Sequence, residues 1–398
     1  MPTYKYTAKD AQGQTVQGAV EATTPADLRK VLYNKGLTLV SSKEDKISIS
    51  LGQGSVKLKD FVIFCRQFAV ILNAGLTIVE GISIMEEQTE SKKLKIILGQ
   101  VHEELLKGKA FSDTLSEHKD VFPEFFINMI RVGETSGSLD TILNRVAEYY
   151  EREDKMIKKV KGAMTYPVIV IVVAIAAIAL LMVKVLPMFT GMFKDAGAEL
   201  PGITKAVMAV SDFMGKNFIW LIIIIGGIVG GFIVYFKTEE GRYKWDYLKL
   251  NIPGIKTLQM KLITSKFARS MSILLKSGIP IVEAMDIMSG LMENKIAEEK
   301  FKKCEEEVKK GKGLSSPIRE MNFFPPLLVH MVSVGENTGE LDDMLGRTAV
   351  FFDEEVEAAV GTLTTMIEPI LIVFLGGAIA VIVLAVMLPM VGMMNTIQ

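Results

Sequence analysis

The sequence predicts an all-α membrane protein with two homologous cytoplasmic six-helix bundles, three transmembrane helices and a small N-terminal ββαβ unit. An internal repeat and three apolar segments predict this architecture. The nine residues VGETSGSLD, from Val132 to Asp140, recur as VGENTGELD from Val334 to Asp342, with six identical positions. A separation of 202 residues is far too long for a solenoid unit, so a whole domain has been duplicated.

The repeat extends beyond this motif in both directions. The offset is 203 residues upstream and 202 downstream, so one residue was gained or lost between Ser112 and Phe122. Pairs that align outside the motif include Arg66 with Arg269, Gly75 with Gly278, Ser112 with Ser315, Glu151 with Asp353, Pro167 with Pro369 and Pro187 with Pro389. Each copy then enters a long apolar segment, which indicates a soluble domain fused to a membrane helix.

Residues 1–45 are predicted to form the ββαβ unit. Apolar and polar residues alternate on both sides of a turn at residues 10–13, which predicts a hairpin. Thr24-Pro25 is typical of a helix start. Gly36 is expected to end that helix before a third strand. Residues 46–56 are polar and rich in glycine and serine, which predicts a linker.

The first bundle is predicted over residues 57–166. Glycine, proline and capping signals divide this range into six helices. We expect the Ser112 hydroxyl to cap the fourth helix and Pro123 to open the fifth. The sixth helix carries no glycine or proline before Gly162. We therefore expect it to continue into the membrane.

The first VGExxGxLD motif is predicted to be a tight connection between the fifth and sixth helices. Gly133 and Gly137 can adopt left-handed backbone angles at little cost. Ser138 is expected to cap the sixth helix, and Asp140 to place negative charge in its first turn. The motif of the second copy carries the equivalent candidate residues, Gly335, Glu336, Gly339 and Asp342.

Two interpretations of this motif remain open. In the first, both copies are well-capped helix junctions and nothing more, because capping and turn requirements account for their glycines and aspartates. In the second, Glu134 and Glu336 are exposed at a cytoplasmic corner and contact a partner. A duplicated corner would then present two equivalent coupling surfaces.

Three segments are apolar enough to cross a membrane. Lysine and arginine are in excess in 152–166 and after residue 236, which places both bundles and the N-terminus in the cytoplasm. The predicted order is transmembrane helix 167–189, external loop 190–217, transmembrane helix 218–236, second cytoplasmic bundle 237–367, transmembrane helix 368–394 and external tail 395–398.

The spans contain small residues and prolines of predicted structural use. A helix contact is predicted at the overlapping small-xxx-small pairs Gly226, Gly227, Gly230 and Gly231, and a similar one at Gly376. Pro167 and Pro369 mark the entry of the first and third spans. Pro187 and Pro389 are expected to kink their outer ends.

The sequence carries no signature of catalysis. It lacks a phosphate-binding G-x-x-x-x-G-K-[ST] loop, and His102-Glu103 lacks the second histidine of a zinc helix. The chain is therefore predicted to be no enzyme and to need no cofactor or metal, although a divalent cation on its acidic surface is left open. Its formal net charge of −1 offers no general basic field for nucleic acid. Cys65 and Cys304 lie in different copies and are expected to be buried.

Several stretches together carry a resemblance that covers essentially the whole chain. They are FAVILNAGLTIVEGI at 68–82, MSILLKSGIPIVEAM at 271–285, the two VGExxGxLD motifs, Tyr166-Pro167 and Glu368-Pro369. Their layout resembles the type II secretion F protein and type IV pilus inner-membrane platform (PilC-like) family.

The resemblance implies a non-enzymatic platform in the bacterial inner membrane. Members of the family bind a cytoplasmic hexameric ATPase and transmit its motion to pilin or pseudopilin subunits taken from the bilayer. The implied partners are that ATPase, the pilin or pseudopilin, other inner-membrane assembly components, membrane lipid and further copies of the chain, with no nucleic acid. Pilus, secretion and DNA-uptake systems are not distinguished. The alternative is a multi-pass transporter or channel component, which would be expected to place ionisable groups at mid-depth of its spans.

Overall fold

A computed structural model describes residues 3–9, 15–21, 29, 32, 38–45, 55–189, 201–292 and 294–396 of the 398-residue chain. Helices make up most of this part. The first bundle consists of six helices: α1 Leu58–Asn73, α2 Ile78–Gln88, α3 Lys92–Leu106, α4 Phe111–Ser116, α5 Glu124–Ser136 and α6 Leu139–Leu180. The same succession of helices was predicted from the sequence.

The second bundle repeats this order after three further helices. Between the bundles lie α7 Gly202–Lys216, α8 Phe218–Tyr235 and α9 Glu239–Asn251. The six helices of the second bundle are α10 Ile255–Lys276, α11 Ile281–Leu291, α12 Lys295–Lys309, α13 Ser315–Glu320, α14 Pro326–Thr338 and α15 Leu341–Thr396.

Three strands form the N-terminal sheet: β1 Thr3–Lys9, β2 Thr15–Glu21 and β3 Thr38–Asp45. The strand order is β2-β1-β3, and β1 pairs antiparallel with both neighbours. The helix predicted between β2 and β3 lies outside the described residues, apart from the helical Arg29 and Leu32.

Local signals set most helix ends of the first bundle. α1 ends before Gly75, which adopts a φ of +88° that a residue with a Cβ takes only at a cost. α2 begins with a capping box, in which the Glu80 amide donates to Thr77 Oγ1 and the Thr77 amide donates to Glu80 Oε2. Pro123 stands immediately before α5, so its missing N–H removes no helical hydrogen bond.

Three local expectations were wrong. Ser112 lies inside α4, whose N-cap is Ala110, and the Ser112 side chain does not cap the helix. Ser138 precedes α6 without a capping hydrogen bond, because its hydroxyl pairs with that of Ser136. Gly133 is not part of a connection, since α5 continues to Ser136 and only Gly137, at φ +66°, is left-handed.

The core of the first bundle is a cluster of phenylalanine rings from α1, α4, α5 and the connection between α4 and α5. Neighbouring rings lie 5–6 Å apart between centroids, mostly in tilted or edge-on arrangements. Its buried members are Phe61, Phe64, Phe68, Phe111, Phe122 and Phe126. Burying each such side chain contributes roughly 1.5–3 kcal/mol, so these rings hold α1, α4 and α5 together.

Both cysteines are buried, as predicted. Burial raises the pKa of the Cys65 thiol well above its usual value and that of Cys304 to about 12. A thiol that remains protonated at neutral pH is a poor nucleophile. Both side chains therefore act as small apolar core residues.

Two of the described helices are long and apolar enough to cross a membrane. They are Leu139–Phe189, which contains α6, and Leu341–Leu388 within α15. α6 passes through Pro167 without ending, and a π-helical turn at Leu181–Val185 precedes Pro187. A π-turn widens the helix locally, which accommodates a proline that lacks an N–H. α15 likewise continues past Pro369 and Pro389 to Thr396.

The predicted external loop 190–217 contains a helix, α7, that was not predicted from the sequence. α7 packs against the end of α6 and against α15, beside a small apolar cluster that includes Leu186 and Ala385. The buried Thr204 hydroxyl donates to the Ala385 carbonyl at 2.7 Å, and Ser211 donates to the Met182 carbonyl. α7 thus links the ends of the two long helices.

The predicted helix contact of the small residues in α8 is not made within the described part of the chain. A Cβ added at any of the four glycines would meet no described atom outside its own helix within 4 Å, and the same holds at Gly376. The four are Gly226, Gly227, Gly230 and Gly231.

Candidate functional site at the repeated turns and the bundle junction

The Glu134 carboxylate caps a helix of its own bundle. It accepts hydrogen bonds from the amides of Phe111 at 2.6 Å and Ser112 at 2.9 Å, which are the first two residues of α4. These amides have no partner within the helix, and the helix dipole favours a negative charge there. Glu134 therefore joins α5 to the start of α4 and supplies the cap that Ser112 does not.

The Glu336 carboxylate makes the equivalent bonds in the second bundle. It accepts from the amides of Leu314 at 2.7 Å and Ser315 at 3.0 Å, at the start of α13. Burial acts to raise the pKa of Glu336, but the hydrogen bonds from Ser315 and Leu314 outweigh it, so the pKa lies below its usual value. Both glutamates are half-buried, and their oxygens are engaged inside the protein.

The first glycine of each motif allows two helices to approach closely. A Cβ on Gly133 would lie 3.0 Å from Cα of Leu139, and a Cβ on Gly335 would lie 2.7 Å from Cα of Leu341. The next glycine of each motif makes the reversal, because Gly137 and Gly339 have φ values of +66° and +78°. One glycine thus supplies space and the other supplies a left-handed turn.

The two turns occupy equivalent places along the two long helices. Asp140 lies exposed in the first turn of α6, and Asp342 lies half-buried in the first turn of α15. Each of these helices begins 28 residues before its proline, Pro167 or Pro369, which is about 42 Å at 1.5 Å per residue. Both turns therefore lie at the end of their bundle farthest from the apolar segments.

A second duplicated feature, the ion pair between the first and last helix of each bundle, was missed at the sequence level. Arg66 of α1 donates to both oxygens of Glu151 of α6 at 2.6 Å. Arg269 of α10 pairs with Asp353 of α15, which also accepts from Ser265 at 2.5 Å. The signal was available, since Arg66 aligns with Arg269 and Glu151 with Asp353 in the repeat.

The ion pair of the first bundle shifts the pKa of both partners. The hydrogen bonds between the two side chains raise the pKa of the Arg66 guanidinium and lower that of the Glu151 carboxyl. Both groups are therefore charged throughout the physiological pH range.

The two bundles meet through α5 and α6 of the first and α10, α11 and α15 of the second. Arg145 of α6 donates to the Ser277 hydroxyl of α10 at 3.2 Å, and Glu153 pairs with Lys266 at 3.3 Å. Nearer the apolar segment, Lys159 pairs with Glu357 of α15. These contacts join helices that are far apart in sequence.

A cleft of about 380 Å³ lies along this junction. Its walls combine apolar side chains with both signs of charge, and they include Tyr149, Arg152, Met156, Leu262, Lys266 and Arg269. Among the described residues, no three His, Cys, Asp or Glu side chains converge in a way that could hold a metal ion.

Comparison with known proteins identifies similar chains over nearly the whole length. The family described as "Type II secretion system (T2SS), protein F" matches residues 64–187 and 267–389, and its N-terminal domain matches residues 1–43. The two matched ranges correspond to the two bundles with their long helices, so the family comparison contains the same duplication.

Curated relatives match from end to end. The chain is 38% identical to the type IV pilus assembly protein PilC of Thermus thermophilus, with 100% of both chains covered. It is 35% identical to the PilC of Myxococcus xanthus, over 99% of this chain and 96% of that one. It is 30% identical to the type II secretion system protein F of Pseudomonas aeruginosa, over 99% of each.

Proposed function

The chain belongs to the type II secretion system protein F family, and from this premise we propose that it couples a cytoplasmic assembly ATPase to pilin or pseudopilin subunits in the membrane. It is an inner-membrane platform protein for type IV pilus or type II secretion assembly, as the names of its full-length relatives indicate. The coupling step is the proposal. It assigns the chain a mechanical role and leaves ATP hydrolysis to its partner.

One observation carries this proposal: each bundle ends in a helix that continues without a break into an apolar segment. α6 extends with its π-turn to Phe189, and α15 extends to Thr396. The ion pair between Lys159 and Glu357 and the contacts of α7 tie the two long helices together. Because packed helices move as rigid units, a displacement at the bundles would be carried to the membrane-embedded ends.

The proposal requires a particular topology. Both bundles and the N-terminus lie in the cytoplasm, the apolar parts of α6 and α15 cross outward, and α8 crosses back between them, leaving the C-terminus outside. α8 has 18 residues and no charge, which is about 27 Å of helix and close to the thickness of a bilayer core. The excess of lysine and arginine on the bundle side supports this orientation.

We assign the contact with the ATPase to the two repeated turns. They lie about 42 Å below the apolar segments, at the far end of each bundle, where a cytoplasmic motor can reach them. The capping role of Glu134 and Glu336 makes these glutamates internal supports of the turns. Asp140 and Asp342 are the charges of the motif whose side chains make no such internal cap, so they are the sharper probes.

The test uses the full-length protein in nanodiscs with the assembly ATPase of its own organism. Binding and ATP turnover are measured for the wild type, for Asp140→Lys, for Asp342→Lys and for the pair combined. Glu103→Lys is the matched control, because Glu103 is an exposed acid on α3, outside both turns. We expect the wild type and the control to bind and to change turnover, and the double variant to lose both effects.

Two other results would be decisive. Binding that survives the double reversal would remove the turns from the contact and leave them as structural junctions. Failure of the wild type to bind an ATPase that is active alone would refute the coupling proposal, while leaving the family assignment in place.

A further inference from the structure

The contact between the two bundles is heterologous, because different faces of the repeated unit meet. The equivalent long helices α6 and α15 run against each other, but beside them the first bundle contributes α5 and α6 whereas the second contributes its first and second helices, α10 and α11. A two-fold arrangement would use the same helices on both sides. In a heterologous arrangement, each end of the pair retains one unused face.

The first unused face lies on α1 and consists of Lys59, Ile63, Val70 and Ala74. These residues align with Leu262, Lys266, Ile273 and Ser277 of α10. In α10 all four positions are partly covered, whereas in α1 all four are exposed, with Val70 at 58%. We refer to these residues as the α1 face.

The second unused face lies on α14 and α15 and consists of Leu327, Arg347, Phe351 and Glu354. Phe351 aligns with Tyr149, which lines the junction cleft and is 3% exposed, yet Phe351 is 43% exposed. Leu327 aligns with Phe125, whose ring lies 4.7 Å from Tyr149, and its exposure is 38% against 1%. We refer to these residues as the α15 face.

We propose that the α15 face of one molecule docks on the α1 face of a second copy of this chain and repeats the contact between the bundles. The occupant follows from the repeat itself. The molecule already contains one such contact, and it carries one unpaired half of it at each end. Head-to-tail contacts of this kind generate a closed ring or an open filament.

The faces are also complementary in chemistry. If the internal contact is repeated between molecules, Phe351 takes the place of Tyr149 against the α1 face, where the exposed Ile63 and Val70 are apolar. Arg152 and Leu262 both line the junction cleft, and their counterparts, Glu354 and Lys59, carry opposite charges. Opposite charges at an interface fix register and discourage wrong partners.

Site-directed crosslinking tests the contact in the full-length protein in membranes. Arg145 and Ser277 touch in the internal junction, so their counterparts Arg347 and Ala74 should meet between molecules. Two differently tagged forms, Ala74→Cys and Arg347→Cys, are co-expressed and treated with a short bismaleimide. The double variant Arg145→Cys, Ser277→Cys is the positive control within one chain. The buried Cys65 and Cys304 of the parent protein give the background.

We expect a crosslinked species that contains both tags, and no comparable product when either variant is expressed alone in both tagged forms. A product from one variant alone would indicate a two-fold contact and overturn the head-to-tail proposal. Absence of the mixed product while the internal control crosslinks would overturn it as well.

A charge exchange gives an independent test. Lys59→Glu and Glu354→Lys should each lower the yield of the mixed crosslink several-fold, and combining the two in one chain should restore it. Ile63→Asp and Phe351→Asp should abolish the crosslink, whereas Ile96→Asp, at an exposed apolar position of α3 outside both faces, should have no effect. Equal losses for Ile96→Asp, or no rescue by the exchange, would contradict the proposed contact.

Discussion

The Arg66 guanidinium donates two hydrogen bonds, each 2.6 Å long, to the two oxygens of the Glu151 carboxylate. The pair closes the first bundle, because it ties the first helix to the last across 85 residues of sequence. Arg269 and Asp353 close the second bundle in the same way. Duplication of the domain therefore preserved a specific contact as well as a hydrophobic pattern.

The two ion pairs should differ in strength. Arg66 and Glu151 are both part-exposed, so a double-mutant cycle with Arg66→Ala and Glu151→Ala should give a coupling below about 1 kcal/mol. Arg269 and Asp353 are more buried, and Ser265 adds a hydrogen bond, so their coupling should be about 1–3 kcal/mol. Denaturant unfolding of the purified protein measures both.

The exposed pair of Arg347 with Asp343 is the control for these cycles, and its coupling should not be measurable. Equal couplings in all three pairs would show that burial does not set their strength in this protein.

Acid should weaken the second bundle through Glu336. Its pKa is lower in the folded protein than in the unfolded chain, where the pKa of a glutamate is about 4.3. The unfolded state therefore takes up a proton first as the pH falls. The stabilisation is fully present above the pKa of the unfolded chain, and it is lost as the pH drops through the lower pKa of the folded protein. Glu336→Gln should unfold at a lower temperature at pH 7 and lose less stability between pH 6 and pH 3.

Unfolding temperatures of the wild type and Glu336→Gln across this range provide the measurement. Glu103→Gln is the control, since Glu103 is an exposed acid on α3 and caps no helix. If the unfolding temperatures of the wild type and Glu336→Gln fall in parallel with pH, the Glu336 cap does not contribute to the acid sensitivity of the protein.

The first glycine of each VGExxGxLD motif should resist substitution. Gly335→Ala and Gly133→Ala would press a Cβ against the backbone of Leu341 and Leu139, and overpacking of this kind costs about 1–3 kcal/mol. The closer approach predicts the larger loss for Gly335→Ala. Gly162→Ala, in α6 with no atom within 4 Å of the added Cβ, should be neutral or slightly stabilising. Thermal unfolding of the three variants ranks them.

The sequence predicted the succession of helices because each break has a local cause, such as Gly75 or the Thr77 capping box. It failed where the cause lies elsewhere in the chain. The cap of α4 comes from Glu134, 22 residues beyond Ser112, whereas the local sequence favours the Ser112 hydroxyl as the cap. The space required at Gly133 likewise depends on how α5 and α6 pack, which a left-handed turn at Gly137 alone does not reveal.

The junction between the bundles also could not be predicted from the sequence. Arg145 and Ser277 are separated by 132 residues, and neither position looks unusual in its own helix. The repeat shows that two equivalent units exist, but only their packing shows that one face of each remains uncovered. The helix α7 was missed for a related reason, since Thr204 and Ser211 look like loop residues until their carbonyl partners in the long helices are known.

Rigid continuity of α6 should matter more than its length. A flexible Gly-Ser insertion of seven residues after Gly162 would separate the bundle from the apolar segment. A helical insertion of seven residues would lengthen α6 by about 10 Å but restore its facing to within about 20°. If the long helices transmit motion, the flexible variant should bind the ATPase yet fail to support assembly in a deletion strain, while the helical variant should retain part of the activity.

Pilus or secretion assembly in the complemented strain is the readout, with membrane levels of each variant and ATPase binding measured alongside. Gly162→Ala is the control for the site itself, because that position is exposed and uncrowded. Full activity of the flexible variant would mean that α6 need only anchor the first bundle, and transmission would then fall to α15. The same two insertions after Gly361, which is also exposed and uncrowded, would decide whether one continuous helix is sufficient.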